Sequence, residues 1–263
     1  MIYMKKFTAF IQKICFELKS RPLAGAAALL LLTAAVHFWA FSWVPYGERD
    51  SIRYLTGAIR WAEQGHYDLF VFPPLPCFLM KVLIQMGFSP DTAGRIYSFL
   101  PQLFIPLASY ILALRLTGNR RLARYTGIML IFHPLLIKFS IEPLRESVHV
   151  LLILLILISG HAALKTQKLL PWLSCALFTA LGWCCRFETL EFVALAFIAL
   201  FILLLQKRYK FCKAVCHFGA YFLCTVALWA LLIVATGGKE CFKFQFENYI
   251  LNKWTLFVLR WKA

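Results

Sequence analysis

Long uncharged apolar runs recur along this chain, and they constrain its fold more than any other feature. About 20 consecutive apolar residues cross the hydrocarbon core of a bilayer as a helix. Runs of that kind are expected at roughly 23–45, 94–114, 125–141, 147–164, 169–185, 189–206 and 216–237. Inside lipid every backbone N–H and C=O must be bonded within the protein, so runs of helical length predict helices rather than a closed barrel. The expected fold class is an all-α, polytopic transmembrane helical bundle of about seven spans. Composition agrees: 61% of the 263 residues are hydrophobic and only 15% are charged, whereas soluble domains carry nearer a quarter charged.

The formal charge of +16 raises the question of nucleic acid. Binding of that kind needs basic residues gathered on one water-exposed face. Here they sit in short clusters between apolar runs, the pattern of topology signals, and no nucleic-acid partner is expected. With the N-terminus in the cytoplasm, the inner segments hold Lys5, Lys6, Lys13, Lys19 and Arg21, then Arg115, Arg120, Arg121 and Arg124, then Lys165 and Lys168, then Lys207, Arg208, Lys210 and Lys213. Against these stands one inner acid, Glu17, while the other acids fall on the outer segments or outer helix ends. Ionisable groups near membrane depth are expensive and mark functional cavities. A plain anchor has no use for so many acids on one side.

The chain divides into three expected parts. Residues 1–22 form a cytoplasmic interfacial helix, with Phe7, Phe10, Ile11, Ile14 and Leu18 at helical spacing among lysines. Residues 23–237 form the transmembrane module, beginning with a retained anchor rather than a cleaved signal peptide. Residues 238–263 form an outer tail rich in aromatic and basic residues. Within the module, 46–93 is the first outer loop. There Ile52, Leu55, Ile59 and Ala62 trace an apolar stripe, with Trp61 off it, which predicts an amphipathic surface helix over 50–62. Phe72-Pro73-Pro74-Leu75-Pro76 then breaks the chain, and a second, interfacial or re-entrant helix is expected over about 77–88. The loop is thus read as an outer cap of amphipathic helices.

The nine cysteines show no CxxC pair and no metal spacing with histidine. Most of them read as packing residues, and Cys77 and Cys241 share the outer side, where a bridge is open to them. His37, His133 and His161 read as packed helix residues, with His133-Pro134 marking a kink.

Chemistry concentrates at three outer positions. Asp50 precedes the surface helix beside Glu48 and Arg49; its carboxylate can take a proton from a hydroxyl, hold a metal or simply cap the helix. Glu142, Arg145, Glu146 and His149 gather where the fourth span begins, three or four residues apart on a helix. They read equally as a solvated helix end and as a second carboxylate facing an outer cavity. Arg186 and Glu188 lie between the fifth and sixth spans, and Arg95 at the start of the second. An Arg at these places suits phosphate, through its planar fork, or snorkels to the interface.

In order, these pieces resemble the GT-C superfamily of membrane glycosyltransferases, in its protein mannosyltransferase and lipid A aminoarabinose transferase branch. Asp50-Ser-Ile-Arg-Tyr54 continuing to Ala58 and Gly65 is similar to the family's D-x-x-x-Y-x-x-x-A run, and Phe72-Pro73-Pro74-Leu75 to its proline break. Gly94-Arg95-Ile96 resembles its second-span arginine, and Ser140 with Glu146 its S-x-x-x-x-x-E. Arg186-Phe187-Glu188 resembles its R-P-E, with Phe in place of Pro. The resemblance covers roughly 46–190 and implies transfer of a sugar from a polyprenyl-phosphate donor to an acceptor on the outer side, with Asp50 and Glu146 catalytic. Arg95 and Arg186 would meet the carrier phosphate, and Glu48, Tyr54, Glu142, Arg145, His149 and Glu188 would complete the substrate contacts. No metal ligands are assigned, and a divalent cation is open rather than indicated. Members usually continue with more spans or a soluble outer domain, so a short or truncated member is one expectation. A non-catalytic subunit with a protein partner in envelope-glycan assembly is the alternative, and a flippase ranks behind it, since no internal repeat is found. A bacterial inner membrane is expected ahead of the endoplasmic reticulum.

Overall fold

A computed structural model describes residues 22–41, 49–65, 67, 72–236 and 243. The described residues are mostly helical, without strands. In chain order the helices are α1 (Pro22–Phe41), α2 (Arg49–Gln64), α3 (Pro74–Gln85), α4 (Pro90–Thr117), α5 (Arg120–Ile131), α6 (Pro134–Ile141), α7 (Arg145–Thr166), α8 (Leu169–Cys185), α9 (Glu191–Leu205) and α10 (Phe211–Thr236). A 3₁₀ turn, Phe187–Leu190, joins α8 to α9.

Local chemistry sets the ends. Ser89 caps α4 by accepting the Thr92 N–H, and Pro90 follows at the first helical position, where its missing N–H costs nothing. The helix stops at Gly118, whose φ of 66° returns its N–H to the Leu114 carbonyl. Asn119 then caps α5 through the N–H groups of Arg121 and Leu122. Gly127 lets α5 lie hard against α4, since a Cβ there would meet the Pro106 carbonyl at 3.2 Å.

Four helical stretches are long and apolar enough to cross a membrane: α4, α7, the 3₁₀ turn with α9, and α10. The pair α5–α6 makes a fifth if it is one span, bent by 52° at the break. His133-Pro134 is that break, as the sequence indicates: His133 is the N-cap of α6 and Pro134 opens it. α1 and α8 are shorter apolar helices. Large apolar side chains stand open on the surface, Val234 at 80% and Met129 at 73% exposure among them. Water would penalise so continuous an apolar exterior, and lipid does not. The protein is an integral membrane protein.

Among these helices α7, α8 and α10 form the best-packed group, with α4 on the other side of α7 and α5 against α4. α2 and α3 pack on each other and on the same end of α4. One core unites them: Tyr54, Ala58 and Trp61 of α2 meet Cys77 and Met80 of α3, Tyr97 of α4, Val148 and Leu152 of α7, and Cys185 of α8. This explains why Trp61 lies off the apolar stripe. Helix α2 has two faces: Ser51, Tyr54, Ala58 and Trp61 are buried in the bundle, while Ile52 is exposed and Leu55 and Ile59 are half-buried. The second helix of this region runs from Pro74 rather than 77, because Pro74 is a good first residue and fixes the helical φ.

His37 is buried, with its Nε2 3.4 Å from the Ile131 carbonyl, the packed role expected of it. Cys77, Cys175, Cys184 and Cys185 are buried. The proposed pairing of Cys77 with Cys241 lies outside the described residues, as do the interfacial helix over 1–22 in all but its last residue, the tail in all but Lys243, and Glu48.

Candidate active site

The start of α7 and the end of α8 lie side by side, and their charged residues form a chain. Glu146 Oε1 is 3.4 Å from Arg145 Nε and 3.6 Å from Arg186 Nη1. Arg186 in turn places Nη2 3.4 Å from Glu188 Oε1. Two guanidinium groups and two carboxylates thus alternate in sign. All four side chains are partly sheltered, between 24% and 35% exposed. Sheltered ion pairs of this kind add little to stability, because desolvation offsets their attraction. Their use is to fix charge in place.

Several contacts hold the chain. Tyr97 of α4 donates its hydroxyl to the Leu144 carbonyl at 3.3 Å, pinning the residue before α7. Ser147 donates to the Phe139 carbonyl and ties the first turn of α7 back to α6. His149, one turn further along and buried, has Nε2 3.0 Å from Thr189 Oγ1. That bond anchors the 3₁₀ turn that carries Glu188. Gly182 makes it possible: a Cβ on residue 182 would stand 2.7 Å from Thr189 Cγ2, so only glycine lets the turn seat on α8.

Among the described residues, two buried polar atoms in this neighbourhood have no hydrogen-bond partner, Arg186 Nε and the Tyr54 hydroxyl. Tyr54 is 2% exposed and within electrostatic reach of Arg145 and Glu146. Burial raises its pKa well above the ordinary tyrosine value, with Arg145 opposing, so the phenol is neutral. Orphaned buried donors are rare in folded proteins and call for an explanation. A donor with no protein partner beside paired arginines is suited to a ligand oxygen.

The structure therefore brings Tyr54, Arg145, Glu146, His149, Arg186 and Glu188 together. Glu142 borders them: it is 3% exposed and accepts the Ser51 hydroxyl, linking the α6–α7 junction to the first turn of α2. Asp50, next to Ser51, is 58% exposed and lies 3.8 Å from Arg53 on its own helix. It stands inside the first turn of α2 rather than ahead of it, where its charge suits the helix dipole. Arg95 lies elsewhere. Its Nε bonds Asp91 Oδ2 at 2.9 Å and its guanidinium rests 5.5 Å from the Phe41 ring centre. Arg95 is two residues from Tyr97, about 200° around the helix, so it turns from the α7 junction toward α1. Ser140 is buried and donates to the Ile137 carbonyl. Ser51, Gly182 and Thr189 were not legible as site residues, since nothing in their spacing sets them apart from other small residues. Among the described residues no group of three or more His, Cys, Asp or Glu gathers as a metal site.

A family model described as dolichyl-phosphate-mannose-protein mannosyltransferase matches residues 72–234, well over half of the chain. The chain belongs to that family. The dolichyl-phosphate-mannose-protein mannosyltransferase family is one of membrane glycosyltransferases of GT-C type, as the ordered motifs imply. No curated protein matches the chain. The match takes in Arg95, Glu142, Arg145, Glu146, His149, Arg186 and Glu188, and begins after Asp50 and Tyr54.

Proposed function

We propose that this chain transfers a sugar from a polyprenyl-phosphate donor to an acceptor hydroxyl on the outer side of the membrane, with the Arg145–Glu146–Arg186–Glu188 chain at the reaction centre. The observation that carries the reading is the alternating chain itself, with an orphaned Arg186 Nε and Tyr54 hydroxyl beside it. In the reaction the acceptor oxygen attacks the anomeric carbon, the bond from that carbon to the carrier phosphate breaks, and the phosphate leaves with its electron pair. Arg186 and Arg145 stabilise the charge gathering on the leaving phosphate. A carboxylate takes the hydroxyl proton. Asp50 is given that role, since α2 seats Tyr54 within electrostatic reach of Arg145 and Glu146, while Asp50 remains exposed one residue before Ser51, which bonds Glu142. Glu146 orients both arginines. Arg95 is assigned to the carrier lipid at the edge of the bundle, and Glu48 to the acceptor side.

The topology belongs to the same proposal. Counting α1, the bent pair α5–α6 and α8 with the four long spans gives seven crossings, with the N-terminus and the basic loops cytoplasmic and α2–α3 as an outer cap in the inner membrane of a bacterium. Support comes from α8, which is short but packs between α7 and α10 as a spanning neighbour would. The outer side would also be where a protein partner in envelope-glycan assembly meets the enzyme.

Purified chain in lipid nanodiscs, given radiolabelled polyprenyl-phosphate sugars, tests the reading through sugar release and transfer. Turnover that falls with Arg186→Gln and Asp50→Asn, at unchanged expression and folding, is expected. Turnover retained in Asp50→Asn removes its role as base. No turnover with any donor leaves the chain as a non-catalytic subunit.

A further inference from the structure

The opposite end of α7 carries a different assembly. Between α9 and the wall made by α4, α7 and α8 lies a cavity of about 290 Å³, lined by Leu116, Gly160, Leu164, Trp172 and Ala196 with His161 among them. Its lining is mostly apolar, with His161 and the Trp172 indole as its polar side chains. His161 is fifteen residues from Glu146, roughly 22 Å along the helix, so this cavity is remote from the ion-pair chain. One wall is α9, in which Leu200 is the buried residue and much of the surface is open. The cavity thus lies beside the lipid-facing exterior.

Its mouth is cationic. Arg115, exposed at the end of α4, reaches across to α7 and donates from Nη1 to the Ile158 carbonyl at 3.1 Å, one turn from His161. Lys165, also exposed, is one turn beyond His161, and both cations act electrostatically on its ring. Lys168 follows, exposed at the start of α8. The sequence has no acid between Asp91 and Glu142 or between Glu146 and Glu188, so no carboxylate from those stretches offsets these charges. Gly160 keeps the floor open, its Cβ position 3.8 Å from Cys175 Sγ.

We infer that this cavity is a binding site for an anionic glycerophospholipid of the leaflet on the Arg115 side, with an acyl chain between α9 and Gly160 and the headgroup phosphate at Arg115 and Lys165. The apolar walls take a chain and not a free anion. Arg115 and Lys165 choose an anionic headgroup over a zwitterionic one, each basic residue near a membrane surface changing anionic-lipid binding about fivefold.

The test is native mass spectrometry of the full chain in detergent, titrated with dioleoyl phosphatidylglycerol, dioleoyl phosphatidylcholine or glycerol 3-phosphate. A single retained phosphatidylglycerol is expected at concentrations about tenfold or more below those for phosphatidylcholine, with no retained glycerol 3-phosphate. Arg115→Gln with Lys165→Gln should abolish the preference. Ala196→Phe, from the α9 side, and Gly160→Leu, from the α7 side, should each remove the retained lipid, so one misfolded variant leaves the other to decide. Equal retention of the two phospholipids, retention of glycerol 3-phosphate, or retention unchanged by a folded cavity-filling variant would overturn the inference.

Discussion

The two ends of α7 solve the problem of charge in a membrane protein in opposite ways. At the Arg145 end, cations and carboxylates alternate at 3.4–3.6 Å and are partly sheltered by α2 and the 3₁₀ turn. At the Lys165 end the charges among the described residues are of one sign, with Arg115, Lys165 and Lys168 exposed. A buried polar contact there joins the Tyr209 hydroxyl to His217 Nδ1. Paired charge is held to a geometry, as a reaction centre requires. Charge of one sign needs only to stay in water or headgroups, which suits orientation and lipid attraction.

The sharpest way to break this contrast is to remove charge from each end. Arg186→Gln should lower sugar transfer by about 100- to 1000-fold, the cost of deleting a donor aimed at developing charge, whereas Lys168→Gln should leave transfer unchanged in the same nanodisc assay. Next in size, Gly182→Val should force Thr189 off α8. Overpacking typically costs about 1–3 kcal/mol, read as a fall in Tm, with transfer falling further than stability because Glu188 moves with the turn. Thr189→Val keeps the shape but removes the His149 bond, leaving a buried ring nitrogen unsatisfied at about 1–3 kcal/mol. Thr189→Ser should restore both Tm and activity. Smallest is Tyr209→Phe at the far end, which should cost about 1 kcal/mol through the lost bond to His217 and leave kcat alone. A large loss of transfer in Tyr209→Phe would show that the two ends are not independent.

The same contrast explains what could be read from the sequence. Apolar runs and basic loops are local properties, so helix positions emerged to within a few residues, and His133-Pro134 announced its own bend. The clustering of Arg145, Glu146 and His149 followed from helical spacing. The approach of Arg186 did not, because it depends on Gly182 and Thr189 fitting together across two helices, a contact with no periodic signature. Arg95 shows the converse limit. Its motif set it beside the other arginine candidates, yet its neighbour Tyr97 takes the face toward α7 and leaves Arg95 directed at α1 and Phe41.

The bend at Pro134 also has a bearing on Glu142. Twelve residues of α5 and eight of α6 would rise about 30 Å as one straight helix at 1.5 Å per residue. Tilted by 52° at the break, the same two helices climb only about 25 Å along the axis of α5. Glu142 follows that short second limb and is 3% exposed, so its carboxylate must have its hydrogen bonds supplied by protein. The Ser51 hydroxyl is one such donor, and it is the first turn of α2 that delivers it.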